Sequence, residues 1–421
     1  MIVKLVLAQY PSCDEIWQGQ MKDGDRMKIT DLKCAILDKQ LVVRVKTDEG
    51  IDGFTEIAWL KNYLGPQIMF FKDAIIGEDP TNVAGVIQKI RRKGAFKPWG
   101  CAVSAIEMAL WDIAGKAAGL PVYKLLGGKV RDRVRVYNGG VRFGMTGPDP
   151  EHYAEAMAKM KAAPEGFTII KQGVGFHSQM PNQVPDFFYG EVGEGGHHFN
   201  RGLLTERGQK HIIACTQAMK DVLGDEVGLA LDCGPGFVLQ DAIRLGQALE
   251  PLQVMWLEDM LTGDYVPWVA PDAYREVTQS TSTPIHTGEQ IYLRENFKDL
   301  IAQKAVRVVG PDVGDVGGMA EIKWIAEYAD LHGILMAPHG IGIGVHGLAA
   351  QVQVAATMPQ NYIAFEFPRI SPLWRDMVSG LPDPIVVDGF VDVWDRPGIG
   401  IELIPEAAKP HLSEADKDFF E

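Results

Sequence analysis

Apolar and polar positions alternate with a period of two through KITDLKCAIL (28–37) and LVVRVKT (41–47). A turn at Asp48-Glu49-Gly50 then sends the chain back through IDGFTEI (51–57), which predicts two or three strands. Between 101 and 118 the period becomes helical and places Val103, Ile106, Leu110, Ile113 and Ala117 on one face. Strands followed by a helix in this way predict a small α+β unit. From about residue 133 short apolar runs alternate with helical stretches. A strand near Val134–Tyr137 precedes a helix opened by Asp149 and Pro150, and another strand covers Thr168–Lys171. Further runs end at Asp232, Glu258, Glu289, Asp312, His339 and Glu366. Eight strands with functional groups on most of their tips predict a parallel (β/α) barrel. An open doubly wound sheet would want a glycine-rich phosphate turn after the first strand, and Asn138-Gly139-Gly140 is a weak match.

One stretch, 173–204, follows neither period and is rich in Gly, Pro and aromatic residues. Placed directly after a barrel strand, it is expected to act as a lid or a subunit contact, with Phe187, Phe188, Tyr189, His197, His198 and Phe199 available to pack over a ligand.

The strand tips carry the chemistry. Asp232 (GLALDCG), Glu258 (VMWLED) and Glu289 (PIHTGE) follow one another at intervals of 26 and 31 residues, the spacing of successive strand-plus-helix units. A parallel barrel strand is buried on both faces, so a charge at its C-terminal end is where that architecture displays functional groups. Three ionised carboxylates at close range repel unless a hard cation neutralises them, and carboxylate oxygens suit Mg²⁺. Asp312 and His339 lie 27 residues apart on the next two strands. There a carboxylate can accept the imidazole Nδ1–H and raise the basicity of Nε2, a general-base arrangement. A base beside a cation is what removal of a proton α to a carboxylate requires.

Composition narrows the setting. The chain has 421 residues, 46% of them hydrophobic, too many for one ordinary core, so two domains are expected. No apolar run reaches about 18 residues and the first residues lack a leader pattern, which predicts a cytoplasmic protein with no membrane partner. Five scattered cysteines (Cys13, Cys34, Cys101, Cys215 and Cys233) fit reduced thiols. A net charge of −14 argues against nucleic acid. An anionic small molecule remains compatible if a metal supplies local positive charge.

The run AVSAIEMALWDIAGKAAGLPVYKLLGG (102–128), with WLED, TGE and the Asp312/His339 pair, resembles the enolase superfamily and specifically its mandelate racemase subgroup. The resemblance implies a (β/α)₇β TIM-like barrel (131–369) under an α+β capping domain (1–130, including an N-terminal extension) that the C-terminal segment (370–421) completes. It carries the metal ligands onto Asp232, Glu258 and Glu289, the dyad onto His339 and Asp312, and a hydrogen-bonding acid onto Glu366. It also implies Mg²⁺ as cofactor and a homo-oligomer, dimer to octamer. The segment APHGIGIGVHGLAAQVQVAATMPQNYIAFEF (337–367) is similar to mannonate dehydratases and other sugar-acid dehydratases.

The departures matter as much. Where the subgroup carries Lys-x-Lys, this chain has Lys171-Gln172-Gly173, so Lys171 is retained for substrate binding and electrostatics while the opposing base is replaced by glycine. Gly234 likewise lacks the side chain that the subgroup places two residues after the first ligand. The expectation is therefore a Mg²⁺-dependent hydro-lyase that turns an aldonate or aldarate into a 2-keto-3-deoxy acid through an enediolate. The alternatives are a racemase, epimerase or cycloisomerase of a small carboxylate, and a weakly active binding or regulatory homologue. Tyr189 or a histidine of the long loop could supply the missing acid, and His286 and Trp59 are further candidate substrate contacts, Trp59 from the cap. With a short first cap loop (Leu37 to Gln40), residues 1–26 or the 173–204 loop are expected to replace it as cover.

Overall fold

The computed structural model describes residues 26–94, 100–139, 144–190, 203–261 and 269–421, except for the Trp59 side chain. Strands β1 (Ile29–Leu37), β2 (Gln40–Thr47) and β3 (Gly53–Ile57) form an antiparallel meander. Leu37 pairs with Gln40, so the first cap loop is a two-residue turn, with Asp38 in the left-handed region at φ 57°. Helices α1 (Val83–Lys93) and α2 (Gly100–Ala118) pack on this sheet. The expected single apolar face of α2 is too narrow a description: it is buried from Ala102 through Leu110 without interruption. Its other side meets the barrel, where the Glu107 carboxylate accepts the backbone N–H groups of Met319 (2.8 Å) and Ala320 (2.9 Å). On the cap side β3 comes so near that a Cβ at Gly53 would stand 2.2 Å from the Ala109 carbonyl oxygen.

Eight parallel strands follow: β4 (Arg133–Asn138), β5 (Ile169–Gly173), β6 (Gly228–Asp232), β7 (Leu257–Glu258), β8 (Ile285–Thr287), β9 (Val308–Val309), β10 (Leu335–Met336) and β11 (Phe365–Phe367). Between them run α3 (Pro150–Lys161), α4 (Glu206–Leu223), α5 (Leu239–Leu249), α6 (Pro271–Ser280), α7 (Arg294–Ala302), α8 (Met319–Leu331) and α9 (Gly344–Ala355). The sheet closes where β11 pairs with β4 and Met336 of β10 bridges Tyr362. The architecture is thus a (β/α)₇β barrel beside an α+β cap, and the first barrel strand is parallel to both neighbours.

The tail serves both parts. Strand β12 (Val378–Ser379) pairs with β14 (Glu402–Leu403), while β13 (Phe390–Asp392) runs antiparallel along the start of β4. The last residues return to the cap, where the Ile36 N–H donates to Asp416 Oδ2 (2.8 Å), Arg44 donates to the Phe419 carbonyl (2.7 Å), and the Phe54 and Phe419 rings lie 6.4 Å apart. Among the described residues no helix is long and apolar enough to cross a membrane. Cys34, Cys101, Cys215 and Cys233 are free thiols.

Candidate active site

Side chains alternate along each barrel strand, so one inward layer predicts the next. Tyr137, Ile169, Ala230, Trp256, Val308 and Ala364 form an apolar plug inside the barrel. Two residues further along the chain from Ile169, Ala230, Trp256 and Ala364 stand Lys171, Asp232, Glu258 and Glu366. Pairing of Gly173 with Asp232 and of Asp232 with Glu258 fixes this register. The plug removes water from beneath the polar layer, and all four of these residues are buried.

The Lys171 ammonium sits where three carboxylates converge: Glu258 Oε1 at 2.5 Å, Asp232 Oδ2 at 3.4 Å and Glu366 Oε1 at 3.5 Å. Burial alone would push the ammonium pKa down, but Glu258 and Glu366 hold it well above the ordinary lysine range. For Asp232, burial pushes upward and the Lys171 and His177 charges outweigh it, leaving the carboxyl far below its usual range. Glu258 is likewise lowered against its own burial by Lys171 and His286, and its Oε2 accepts from Trp256 Nε1 at 2.9 Å.

Across the mouth, His339 Nδ1 meets Asp312 Oδ2 at 2.6 Å, and the Gly314 N–H fixes the other Asp312 oxygen at 2.6 Å. His339 Nε2 lies 3.2 Å from Glu289 and 3.4 Å from Glu366. Burial opposes the imidazolium, yet Glu289, Glu366 and the Asp312 hydrogen bond raise His339 well above the ordinary histidine value.

Glu258, Asp259 and Glu289 each offer one oxygen within 4.8 Å of the others, and all three are buried. An all-oxygen, all-anionic donor set of this kind fits a hard divalent cation. Glu258 and Glu289 were expected as ligands. The third member of this tight group is Asp259 rather than Asp232, which turns instead toward Lys171 and His177. Asp259 has φ 50°, and its Oδ1 accepts from Thr287 at 2.7 Å.

These groups surround a cavity of about 440 Å³ between barrel and cap, lined by Lys171, Asp232, Glu289, Asp312, His339 and Glu366 below and by Glu56, Lys61 and Cys101 above. Lys61 reaches from the cap to Asp315 Oδ2 at 2.5 Å, and Cys101 also bonds Asp315. Burial disfavours the Lys61 ammonium, but Asp315 holds its pKa above the ordinary lysine range. Neither Lys61 nor Glu56 stood out in the sequence; a cap strand, which holds Glu56, and the helical turn after it, which holds Lys61, gave no chemical signal.

Three expected substrate contacts need correction or fall outside view. His286 is fully buried in the barrel, stacked on Trp256 at 5.5 Å with Nε2 3.1 Å from the Ala337 carbonyl oxygen, and burial lowers its pKa. It is part of the floor and does not line the cavity. Tyr189 is 66% exposed and away from the cavity, because Phe187 and Phe188 just before it are drawn into the barrel core. Those two phenylalanines therefore do not cover a ligand. The Trp59 side chain is not described, although its neighbours Ala58 and Leu60 line the cavity. His197, His198 and Phe199 lie outside the described residues, as does the proposed cover at 1–25.

One residue near the site had not been singled out. His177, on a short turn after β5, lines the cavity with Nδ1 3.0 Å from Asp232 Oδ1. The Asp232 charge raises its pKa to about 9.

Comparison with known proteins agrees with this architecture. Residues 31–127 match the family described as the mandelate racemase/muconate lactonizing enzyme N-terminal domain, and residues 152–407 match the enolase C-terminal domain-like family. A D-xylonate dehydratase of Haloferax volcanii is 31% identical over 96% of this chain and 93% of its own length. A D-galactonate dehydratase of Variovorax paradoxus is 28% identical over 90% of this chain and 93% of its own. A mandelate racemase/muconate lactonizing enzyme-like protein of Rubrobacter xylanophilus superposes with a TM-score of 0.78 at 31% identity, covering 92% of this chain and 98% of that one.

Proposed function

This chain belongs to the mandelate racemase/muconate lactonizing enzyme family of the enolase superfamily, and from that premise we propose that it is a Mg²⁺-dependent sugar-acid dehydratase. The observation that carries the reading is the His339–Asp312 dyad, whose Nε2 lies 3.2 Å from Glu289 of the buried carboxylate cluster at the wall of one cavity. A divalent ion held by Glu258, Glu289 and either Asp232 or Asp259 would supply the positive charge that lowers the cost of an enediolate. Asp312 holds the His339 ring so that Nε2 faces the cavity; a cation neutralising Glu289 would remove the largest charge that favours the imidazolium, and the neutral ring then takes the α-proton. The Lys171 ammonium places a second positive charge beside the substrate carboxylate, and Glu366 links Lys171 to His339 by contacts to both. Loss of the β-hydroxyl as water then leaves an enol that becomes the 2-keto-3-deoxy acid. The aldonate class follows the names of the D-xylonate and D-galactonate dehydratases to which the chain is similar. A cytoplasmic setting and a homo-oligomer belong to the same reading.

Racemisation or epimerisation is the second reading, and His177 favours it. With Gly173 in place of a base, Tyr189 or a histidine of the long loop was expected to supply the missing group, and His177 of that loop lines the cavity. One experiment separates the two. The enzyme is incubated with Mg²⁺ and candidate aldonates in D₂O and followed by NMR. A 2-keto-3-deoxy product supports dehydration; inversion at the α-carbon with deuterium uptake and no elimination refutes it.

A further inference from the structure

Two glycines on neighbouring strand tips clear space for one residue. A Cβ on Gly173 would stand 2.2 Å from the His177 carbonyl oxygen. On Gly234, whose φ of +52° already disfavours a side chain, it would stand 2.9 Å from His177 Cβ and 3.2 Å from Cγ. Gly236 does the same for Phe176, since a Cβ there would overlap the ring at 1.7 Å. Phe176 in turn stacks on Phe188 at 4.7 Å and meets Phe237 edge-on at 5.4 Å. The loop after β5 is therefore docked on the loop after β6 through Phe176, and this fixes the backbone of the next residue. His177 lines the cavity, with its side chain 49% exposed and Nδ1 anchored on Asp232. That anchor leaves Nε2 for a ligand.

Around the barrel, β5 and β10 are separated by β11 and β4. His177 and His339, which follow β5 and β10, therefore stand three strand positions apart around the eight-stranded mouth, joined by a run of contacts through Asp232, Lys171 and Glu366. We propose that His177 is the residue that hydrogen-bonds the departing β-hydroxyl and hands it a proton, so that elimination is anti. The proposal rests on the dehydratase reading. In atom terms, the α C–H bond breaks with its proton going to His339, its electron pair forms the Cα–Cβ double bond, and the β C–O bond breaks with the oxygen leaving as water on the proton from His177. Solvent restores both imidazoles.

The test compares wild type, His177→Gln and Gly234→Ala with their divalent metal bound, after melting curves and metal titrations establish that each variant is folded and loaded. Each is given an aldonate that wild type dehydrates, and its 3-deoxy-3-fluoro analogue, whose fluoride leaves without needing a proton. His177→Gln is expected to slow water elimination by about 100- to 10,000-fold, the range for a lost general acid, and to slow fluoride release by less than about tenfold. It should retain exchange of the α-proton in D₂O. Gly234→Ala, which pushes the imidazole aside, should show the same split. Water elimination unchanged by His177→Gln, or water and fluoride elimination falling in parallel, overturns the proposal, the second result assigning His177 to holding Asp232. A wild type that inverts aldonates without eliminating either group sinks the dehydratase reading itself, a different outcome from either variant result.

Discussion

Replacing Lys171 with Met removes the ammonium that contacts Asp232, Glu258 and Glu366 together. Lys171 is 2% exposed and its ammonium lies 2.5 to 3.5 Å from the three carboxylates. Breaking a buried ion pair from one side typically costs about 3–5 kcal/mol, because the partner charge stays buried without compensation. For a chain of 421 residues, unfolding entropy converts each kcal/mol into about 1 °C of melting temperature. In chelator, Lys171→Met should therefore melt about 3–5 °C below wild type. Saturating Mg²⁺ at about 100 times its Kd contributes about 2.7 kcal/mol to wild type. In the variant it also relieves the carboxylate repulsion, so the Mg²⁺-induced rise should exceed that of wild type by a few degrees. The assay is a pair of calorimetric melts with chelator and with Mg²⁺. Equal metal-induced shifts, or melting in chelator within about 1 °C of wild type, would show that Lys171 does not neutralise these carboxylates. The same variant should lose about two to four orders of magnitude in kcat/KM, as a charge-assisted contact and stabilisation of developing charge vanish together.

Glu258→Gln should abolish both Mg²⁺ binding and turnover; activity that survives chelator treatment of this variant or of wild type would contradict the carboxylate assignment. Asp312→Asn should leave the fold intact and lower kcat by about 100-fold or more, because His339 loses the acceptor that sets its tautomer; a change under about threefold would make the pair structural. Glu107 is lifted by burial from 4.5 to about 7, so the folded chain keeps a proton that the unfolded chain releases. Its contribution to stability is thus full below about pH 4.5, falls by up to roughly 3 kcal/mol as pH rises to about 7, and is constant above. Melting-temperature profiles of wild type and Glu107→Gln should diverge only in that window, and parallel profiles would refute it.

The strand-tip groups were legible because barrel strands are buried on both faces and a charge can appear only where they end. Asp232, Glu258 and Glu366 were read from the ends of apolar runs, Lys171 only from the family resemblance, and the 27-residue spacing joined Asp312 to His339. Parity failed where strands stopped. Strand β8 ends at Thr287 and the chain bends through Gly288 at φ +140°, so three residues separating His286 from Glu289 said nothing about a shared face. Asp259 was illegible for a similar reason, its left-handed backbone breaking the alternation that would have turned it from Glu258. Helix α2 looked one-sided because a pattern of large apolar residues hides the small ones, Ala102, Ala105 and Ala109, that bury its other faces. Gly173 and Gly234 were read as lost functional groups, whereas in three dimensions they are the space into which His177 fits. A missing side chain reveals what replaces it only when the fold brings a distant residue alongside.

The charge of the cavity explains why a divalent cation and an anionic substrate belong together here. Its lining carries six carboxylates, Glu56, Asp232, Glu289, Asp312, Asp315 and Glu366, against the ammonium groups of Lys61 and Lys171 and the imidazoles of His177 and His339. With both imidazoles protonated the acids still exceed the cations by two, and Lys61 is already engaged by Asp315. A sugar acid adds a further negative charge to a site whose apolar floor of Tyr137 and Trp256 excludes water from below. Poor screening makes that repulsion costly, so the protein alone disfavours its own substrate. A divalent ion held by Glu258 and Glu289 would offset that excess and release Lys171 from Glu258 to meet the substrate carboxylate. Because each partner then improves the electrostatics for the other, metal and substrate affinities must be linked by the same factor in both directions. The acidity of the pocket is in this sense the device that makes catalysis conditional on the metal.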